Sequence, residues 1–278
     1  MKYIEKTKVS LMAVVFTAAV LLTGCRTGNV KQNNSRSGEH GSEVMEYAYT
    51  KAQIEEEVDA KWREYGYSEK PKKFIAISFD DGPCDSSVYG GTLGLLAKLD
   101  ELSVKATFFV IGQNVRGNMD AAQAIFAAGH ELGNHSGGYS PLGNAKEGAA
   151  AESLGNASEL IREITGKNPC FFRAPNLDHG SNLSKVCRES GMSLIDGSAH
   201  NDWPGSSAAI RSSVLNGARD GGIIILHENN TSQGNTMAAL PDIVRGLREK
   251  GFWILTVGQL AAVREKTLVP GTRYSTIN

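Results

Sequence analysis

Two adjacent carboxylates close an apolar run: Phe74-Ile75-Ala76-Ile77-Ser78-Phe79 leads into Asp80-Asp81, and Gly82-Pro83 follows. The run reads as a buried strand, and Gly-Pro turns the chain sharply after it. Adjacent side chains on an extended strand point in different directions, so the two carboxylates can serve different partners, one a metal and one a proton. Taken alone, Asp-Asp-Gly-Pro reads equally well as a polar strand end before a turn. Three further clusters stand in the same kind of position. His135, in Gly133-Asn134-His135-Ser136, follows a short strand and offers an imidazole, a common metal ligand. Arg173 comes directly after Cys170-Phe171-Phe172, where a guanidinium can hold a carboxylate in bidentate geometry. His227 ends the most apolar strand, 222–226, with Asn201-Asp202-Trp203 upstream. One His at a strand end is more often structural than catalytic; four such clusters at successive strand ends make a constellation.

Short β runs that position these residues are expected at 74–79, 106–110, 131–132, 170–172, 193–195, 222–226 and 252–255. Helical stretches lie between them at about 92–102, 120–128, 146–165, 181–190, 208–218 and 237–250. Alternating β and α units predict an α/β fold with a parallel sheet, closed or wound, and helices outside. Barrels of this kind place their active sites where the strands end, and that is where the polar residues collect.

The chain has 278 residues, 41% of them hydrophobic, and a formal net charge of -1. That composition suits one globular domain, and it argues against nucleic acid, whose phosphates need a basic face. Lys2, Lys6 and Lys8 precede an apolar stretch at 9–22, too short for a comfortable membrane span. The stretch ends in Leu22-Thr23-Gly24-Cys25, which resembles the bacterial lipobox. The expected organisation is a signal peptide at 1–24 with lipidation at Cys25, a polar tether at 25–42 and a leading helix at 43–70. A catalytic domain at 71–265 and a C-terminal tail at 266–278 complete it. The mature protein is expected on the extracellular face of a bacterial membrane, lipid-anchored. Cys170 could pair with Cys187, and a buried free thiol is an equal alternative at each. His40, His130, His179 and His200 take bland readings as tether, turn or exposed residues, and Trp62 and Trp253 as packing residues.

In this order the clusters resemble the motifs of the polysaccharide deacetylase family, the NodB-homology or carbohydrate esterase family 4 enzymes, over about 74–257. The resemblance implies an irregular (β/α) barrel of the NodB-homology type and removal of acetyl groups from a polysaccharide of xylan, peptidoglycan or chitin type. It implies Asp80 as catalytic base, Arg173 as the residue that orients it, and Asp81 and His135 as ligands of a divalent metal, Zn²⁺ or Co²⁺. It further implies His227 as general acid supported by Asp202, Asn176 as an oxyanion donor through its backbone N–H, Trp203 beside substrate and Leu226 lining the acetyl pocket. The family's second motif carries another histidine where this chain has Tyr139, which is expected to contact sugar. Arg173-Ala174-Pro175-Asn176 and Asn201-Asp202-Trp203 lean towards acetylxylan-esterase-like members. A glycan-binding relative with impaired catalysis is the alternative that Tyr139 motivates.

Overall fold

The computed structural model describes residues 26–27, 45–46, 49–85, 90–200, 202, 205–228 and 233–278. Cys25, the segment at 1–24, most of the tether, Asn201 and Trp203 lie outside the described residues.

Two short strands come first: β1 (Arg26–Thr27) pairs antiparallel with β2 (Met45–Glu46). The leading helix α1 spans Lys51–Glu64, shorter than the sequence pattern suggests, because Thr50 caps it. The Thr50 hydroxyl accepts from the Gln53 N–H while the Gln53 side chain accepts from the Thr50 N–H, a reciprocal cap that fixes the start. Ile54, Val58 and Trp62 recur at helical spacing and are buried against Trp253, Leu255 and Leu260.

The alternation follows: β3 (Lys73–Asp80), α2 (Gly91–Glu101), β4 (Thr107–Val110), α3 (Gly112–Gly117), α4 (Met119–Ala127), β5 (Glu131–Asn134), α5 (Glu147–Thr165) and β6 (Phe171–Phe172). A 3₁₀ turn at Pro175–Leu177 leads to α6 (Ser181–Glu189), β7 (Ser193–Ile195), β8 (Ala199–His200), α7 (Ser207–Gly217) and β9 (Gly222–His227). The chain closes with α8 (Gln233–Glu249), β10 (Phe252–Leu255), α9 (Val257–Val263) and β11 (Arg273–Tyr274). Strands β3 to β11 form one sheet in the order β11-β7-β6-β5-β4-β3-β9-β8, and every strand pairing in it is parallel. β3 is the hub. One edge pairs with β10 over Lys73–Ala76 and then with β4 over Ser78–Asp80, while the other runs along β9. This is the curled α/β half-barrel expected of alternating β and α units.

Alternation along the strands decides what each face does. Ile75, Ile77 and Phe79 of β3 pack outward with Ile224 and Leu226 of β9 under α2 and α8. Each such fully buried side chain contributes about 1.5–3 kcal/mol. Ser78 and Asp80 face inward. The final residues, set apart on sequence as a tail, join the same body: Leu268 and Ile277 are buried, and β11 pairs with β7. Cys187 is a free thiol in the core, its pKa pushed up to about 12 by burial, and so makes no bridge to Cys170. Among the described residues no helix is long and apolar enough to cross a membrane.

Candidate active site

The polar ends of β3, β5, β6 and β9 converge. Asp80, last residue of β3, is buried, and its Oδ1 accepts from Arg173 Nη1 at 2.6 Å. Arg173 is 0% exposed, and four of its N–H groups meet acceptors. Nη1 also reaches the Ser78 hydroxyl at 2.8 Å, Nε donates to Ile195 O at 2.9 Å, and Nη2 to Asp196 O at 3.4 Å. The guanidinium therefore meets Asp80 through one arm, where a two-pronged fork is the sequence expectation, because the end of β7 takes its other side. Its flat face lies over the Phe109 ring at 4.0 Å. That ring in turn lies on Gly133, where a Cβ would come within 2.6 Å of it. Each layer fixes the next, so the Asp80 carboxylate has one orientation.

Asp81 turns the other way. Its backbone is left-handed at φ 72°, a strained conformation for a residue with a Cβ, and its side chain is 23% exposed. Its Oδ1 stands 3.5 Å from His135 Nε2, and Asp80 Oδ2 lies 3.9 Å from the same nitrogen. His135 Nδ1 contacts Arg173 O at 2.8 Å. A carbonyl only accepts, so Nδ1 carries a proton and Nε2 faces the carboxylates, free to serve as the ligand atom. Donors on one tetrahedral ion at 2.0–2.1 Å are about 3.4 Å apart, so the spacing fits a shared divalent ion. Among the described residues no cage of three or more His, Cys, Asp or Glu side chains is present, so the protein offers a sparse set.

On the opposite side, His227 pairs with Asp80 in register across β3 and β9. Asp202 is fully buried and receives His227 Nδ1 at 2.7 Å, His227 N–H at 2.7 Å and the Thr236 hydroxyl at 3.0 Å. Burial opposes charge on the imidazole. The Asp202 hydrogen bond and the charges of Asp80, Asp202 and Asp81 outweigh it and raise the pKa to about 9. The ring is a cation at neutral pH. Next to it, Glu228 is buried with Oε2 on the Thr92 hydroxyl at 2.9 Å and Oε1 without a partner. Burial and then the charges of Asp81 and Asp80 push its pKa up to about 8, against the Thr92 bond, so it is largely neutral at pH 7. Its carboxyl fills the space over Gly82, where a Cβ would meet Oε1 at 1.3 Å.

Asn176 is exposed in the 3₁₀ turn beyond Arg173, left-handed at φ 56°. Tyr139 lies beside the Asp81 loop, 44% exposed, its hydroxyl accepting from Asn114 Nδ2 at 2.8 Å. Leu226 requires a correction. It belongs to the outer core with Phe79 and Ile224, on the face opposite His227, because strand side chains alternate. Ile225, two residues before His227 and buried, is the residue of this run that shares the face of His227. His130 is a buried core histidine whose pKa burial lowers to about 3, and His179 lies 2.9 Å from Asp196. Ser78, Asn114 and Thr236 were not apparent in the sequence. Ser78 could have been found by stepping two residues back from Asp80, whereas the other two have no local signal.

A family model for polysaccharide deacetylases matches residues 67–195. The bifunctional xylanase/deacetylase of Pseudobutyrivibrio xylanivorans is 34% identical over 214 residues, which are 75% of this chain and 33% of that protein. The chain thus spans about a third of that relative's length. A peptidoglycan-N-acetylglucosamine deacetylase of Bacillus cereus is 30% identical over 194 residues, 68% of this chain and 88% of the relative. Among solved structures, a family 4 acetyl xylan esterase from Clostridium thermocellum in complex with a cobalt ion superposes with TM-score 0.68. The two are 32% identical, over 74% of this chain and 99% of that one. The Xyl-CE4 domain of a multidomain xylanase from the Trinervitermes trinervoides hindgut metagenome gives TM-score 0.67 at 30% identity, over 74% and 98% of the two chains.

Proposed function

The chain belongs to the polysaccharide deacetylase family, and from that premise we propose that it is a metal-dependent hydrolase removing acetyl groups from a polysaccharide. The acetyl group is the N-acetyl of a GlcNAc-containing glycan or the O-acetyl of xylan. The observation that carries this reading is the pairing of two opposite couples across β3 and β9. Asp80 is an anion held by the cation Arg173, and His227 is a cation held by the anion Asp202. That is a base and an acid on either side of one reacting group.

Asp81 and His135 would hold a divalent ion, Zn²⁺ or Co²⁺, which when bound polarises the acetyl carbonyl and acidifies a water. Asp80 takes the proton of the attacking water, its carboxylate kept on line by Arg173. The Asn176 backbone N–H donates to the developing oxyanion, a contact typically worth about 3 kcal/mol. His227 gives its proton to the departing sugar amine or hydroxyl, and Asp202 keeps that proton available. Ile225 offers an apolar wall on the same face for the acetyl methyl group. Tyr139 and Trp203 serve as sugar contacts. Both couples being complete speaks against a binding-only relative, which has no use for them.

The test is acetate release from acetylated xylan, peptidoglycan and chitooligosaccharides, each with Zn²⁺ and with Co²⁺. Metal-stimulated release from one of them is expected; no release from any of the three with either metal ends this reading. The same reading places the enzyme outside the bacterial membrane, anchored through lipid on Cys25, supported by the Leu22-Thr23-Gly24-Cys25 sequence. Cys25→Ala is then expected to release it from the membrane fraction, and unchanged membrane retention contradicts the anchor.

A further inference from the structure

The four residues that follow β4 touch both loops bearing the metal ligands. Ile111 N–H donates to Gly82 O at 2.9 Å, beside Asp81. Gly112 N–H donates to Ser136 O at 2.9 Å and Gln113 N–H to Gly137 O at 3.0 Å, both just beyond His135. Asn114 completes the brace from its side chain: Nδ2 donates to Asp81 O at 2.7 Å and to Tyr139 Oη at 2.8 Å. The segment has no room to slide. A Cβ on Gly112 would stand 3.2 Å from Ala157 Cα and 3.3 Å from Gly137 Cα.

Resting on the metal-dependent reading above, we infer that Asn114 is a positioning residue of the metal centre. It touches neither the Asp81 carboxylate nor the His135 ring; it acts on the backbone that aims them. Asp81 keeps its left-handed conformation only while its surroundings over-determine it, and the Asn114 amide is the side-chain contact that does so on its carbonyl. The second N–H of the same amide ties the Tyr139 hydroxyl to that carbonyl, so the residue standing where relatives carry a second histidine is coupled to the ligand loop. With two protein ligands in place of a fuller cage, the angle between them rests on the outer shell, whose partners typically set metal affinity by about 10–100-fold.

The experiment is calorimetric titration of the metal-stripped full-length protein with Co²⁺, alongside acetate release as a function of Co²⁺ concentration. Asn114→Ala is expected to weaken Co²⁺ binding about tenfold or more. Its kcat should return to within about twofold of wild type at saturating Co²⁺, a rescue that a merely damaged fold would not show. Asn114→Ser also withdraws both N–H groups and supplies the same reading where the alanine variant does not fold. Asn118→Ala is the control: Asn118 caps the same short helix by donating to Asn114 O at 3.2 Å, and Co²⁺ affinity should stay at the wild-type value. Wild-type affinity in Asn114→Ala or Asn114→Ser overturns the inference. A wild-type protein that binds no Co²⁺ overturns instead the metal-dependent reading on which it rests.

Discussion

Replacing Asp202 by Asn tests the acid half of the site most directly. The wild-type His227 pKa of about 9 is the balance of burial, which lowers it, against the Asp202 bond and surrounding carboxylates, which raise it. The amide in Asp202→Asn would keep the shape and remove the charge and its bond, the largest of the effects that raise the pKa, so the pKa falls from about 9 towards its ordinary 6.5 while Asp80 and Asp81 still hold part of the rise. At pH 7.5 the imidazolium fraction then drops from about 97% towards about 10%, the value at the ordinary pKa. Protonation alone should therefore cut kcat/KM by up to about tenfold there, and loss of the fixed ring orientation cuts it further. Acetate release at saturating Co²⁺ from pH 5.5 to 10 should show the alkaline limb moving down from about 9 in the wild type towards 6.5. Stability gives a second readout. The folded-state pKa is raised, so the stabilisation is fully present below pH 6.5 and is lost as pH rises through about 9. It amounts to about 3 kcal/mol, and Asp202→Asn should be less stable than wild type at pH 6 but converge with it above pH 10. An alkaline limb still near 9 in the variant, with a rate within twofold of wild type, refutes the assignment of His227 as acid.

Asp80→Asn should lower turnover about 10²–10⁴-fold while Co²⁺ binding persists, whereas Asp81→Asn should lose the Co²⁺ itself; full activity in both variants contradicts the division of roles. Glu228 has a raised folded-state pKa, so its stabilising contribution is present below pH 4.5 and is lost as pH rises through about 8. Glu228→Gln should match the wild type in urea denaturation at pH 5 and exceed it at pH 9 by about 2–5 kcal/mol; equal midpoints at pH 9 contradict a buried neutral carboxyl. Leu226→Ala should cost about 2–5 kcal/mol of stability with KM little changed, and Ile225→Ala should raise KM for acetylated substrate. The reverse pattern would return Leu226 to the acetyl pocket.

The strand ends were legible because a buried strand has few reasons to finish in Asp-Asp, Arg or His-Glu. Apolar runs fixed where β3, β6 and β9 stop, and residue type then separated candidate base, clamp and acid. Leu226 was misread because the apolar run around it hides which face each residue takes; only the inward position of His227 settles the alternation. Asn114, Thr236 and Thr92 were invisible, since each acquires its role from a partner brought up by the fold: Asp81, Asp202 and Glu228 respectively. The start of α1 was readable in principle from Thr50 and Gln53, a spacing that the broad Glu, Ala and Lys pattern at 43–65 obscured. α9, capped in the same way by Thr256 and Gln259, was not among the expected helices.

β3 and β9 lie side by side, yet about half of the chain separates them in sequence. Their pairing is a long loop to close, and contacts of that span are acquired late in folding. The proposed base and acid sit at matching ends of those two strands, so a chain that has collapsed without this pairing has no working site at all. Regain of activity on refolding should then lag behind regain of helix content and keep pace with amide protection at Ile77 and Ile224. Acetate release would serve as a clock for the closing of the sheet.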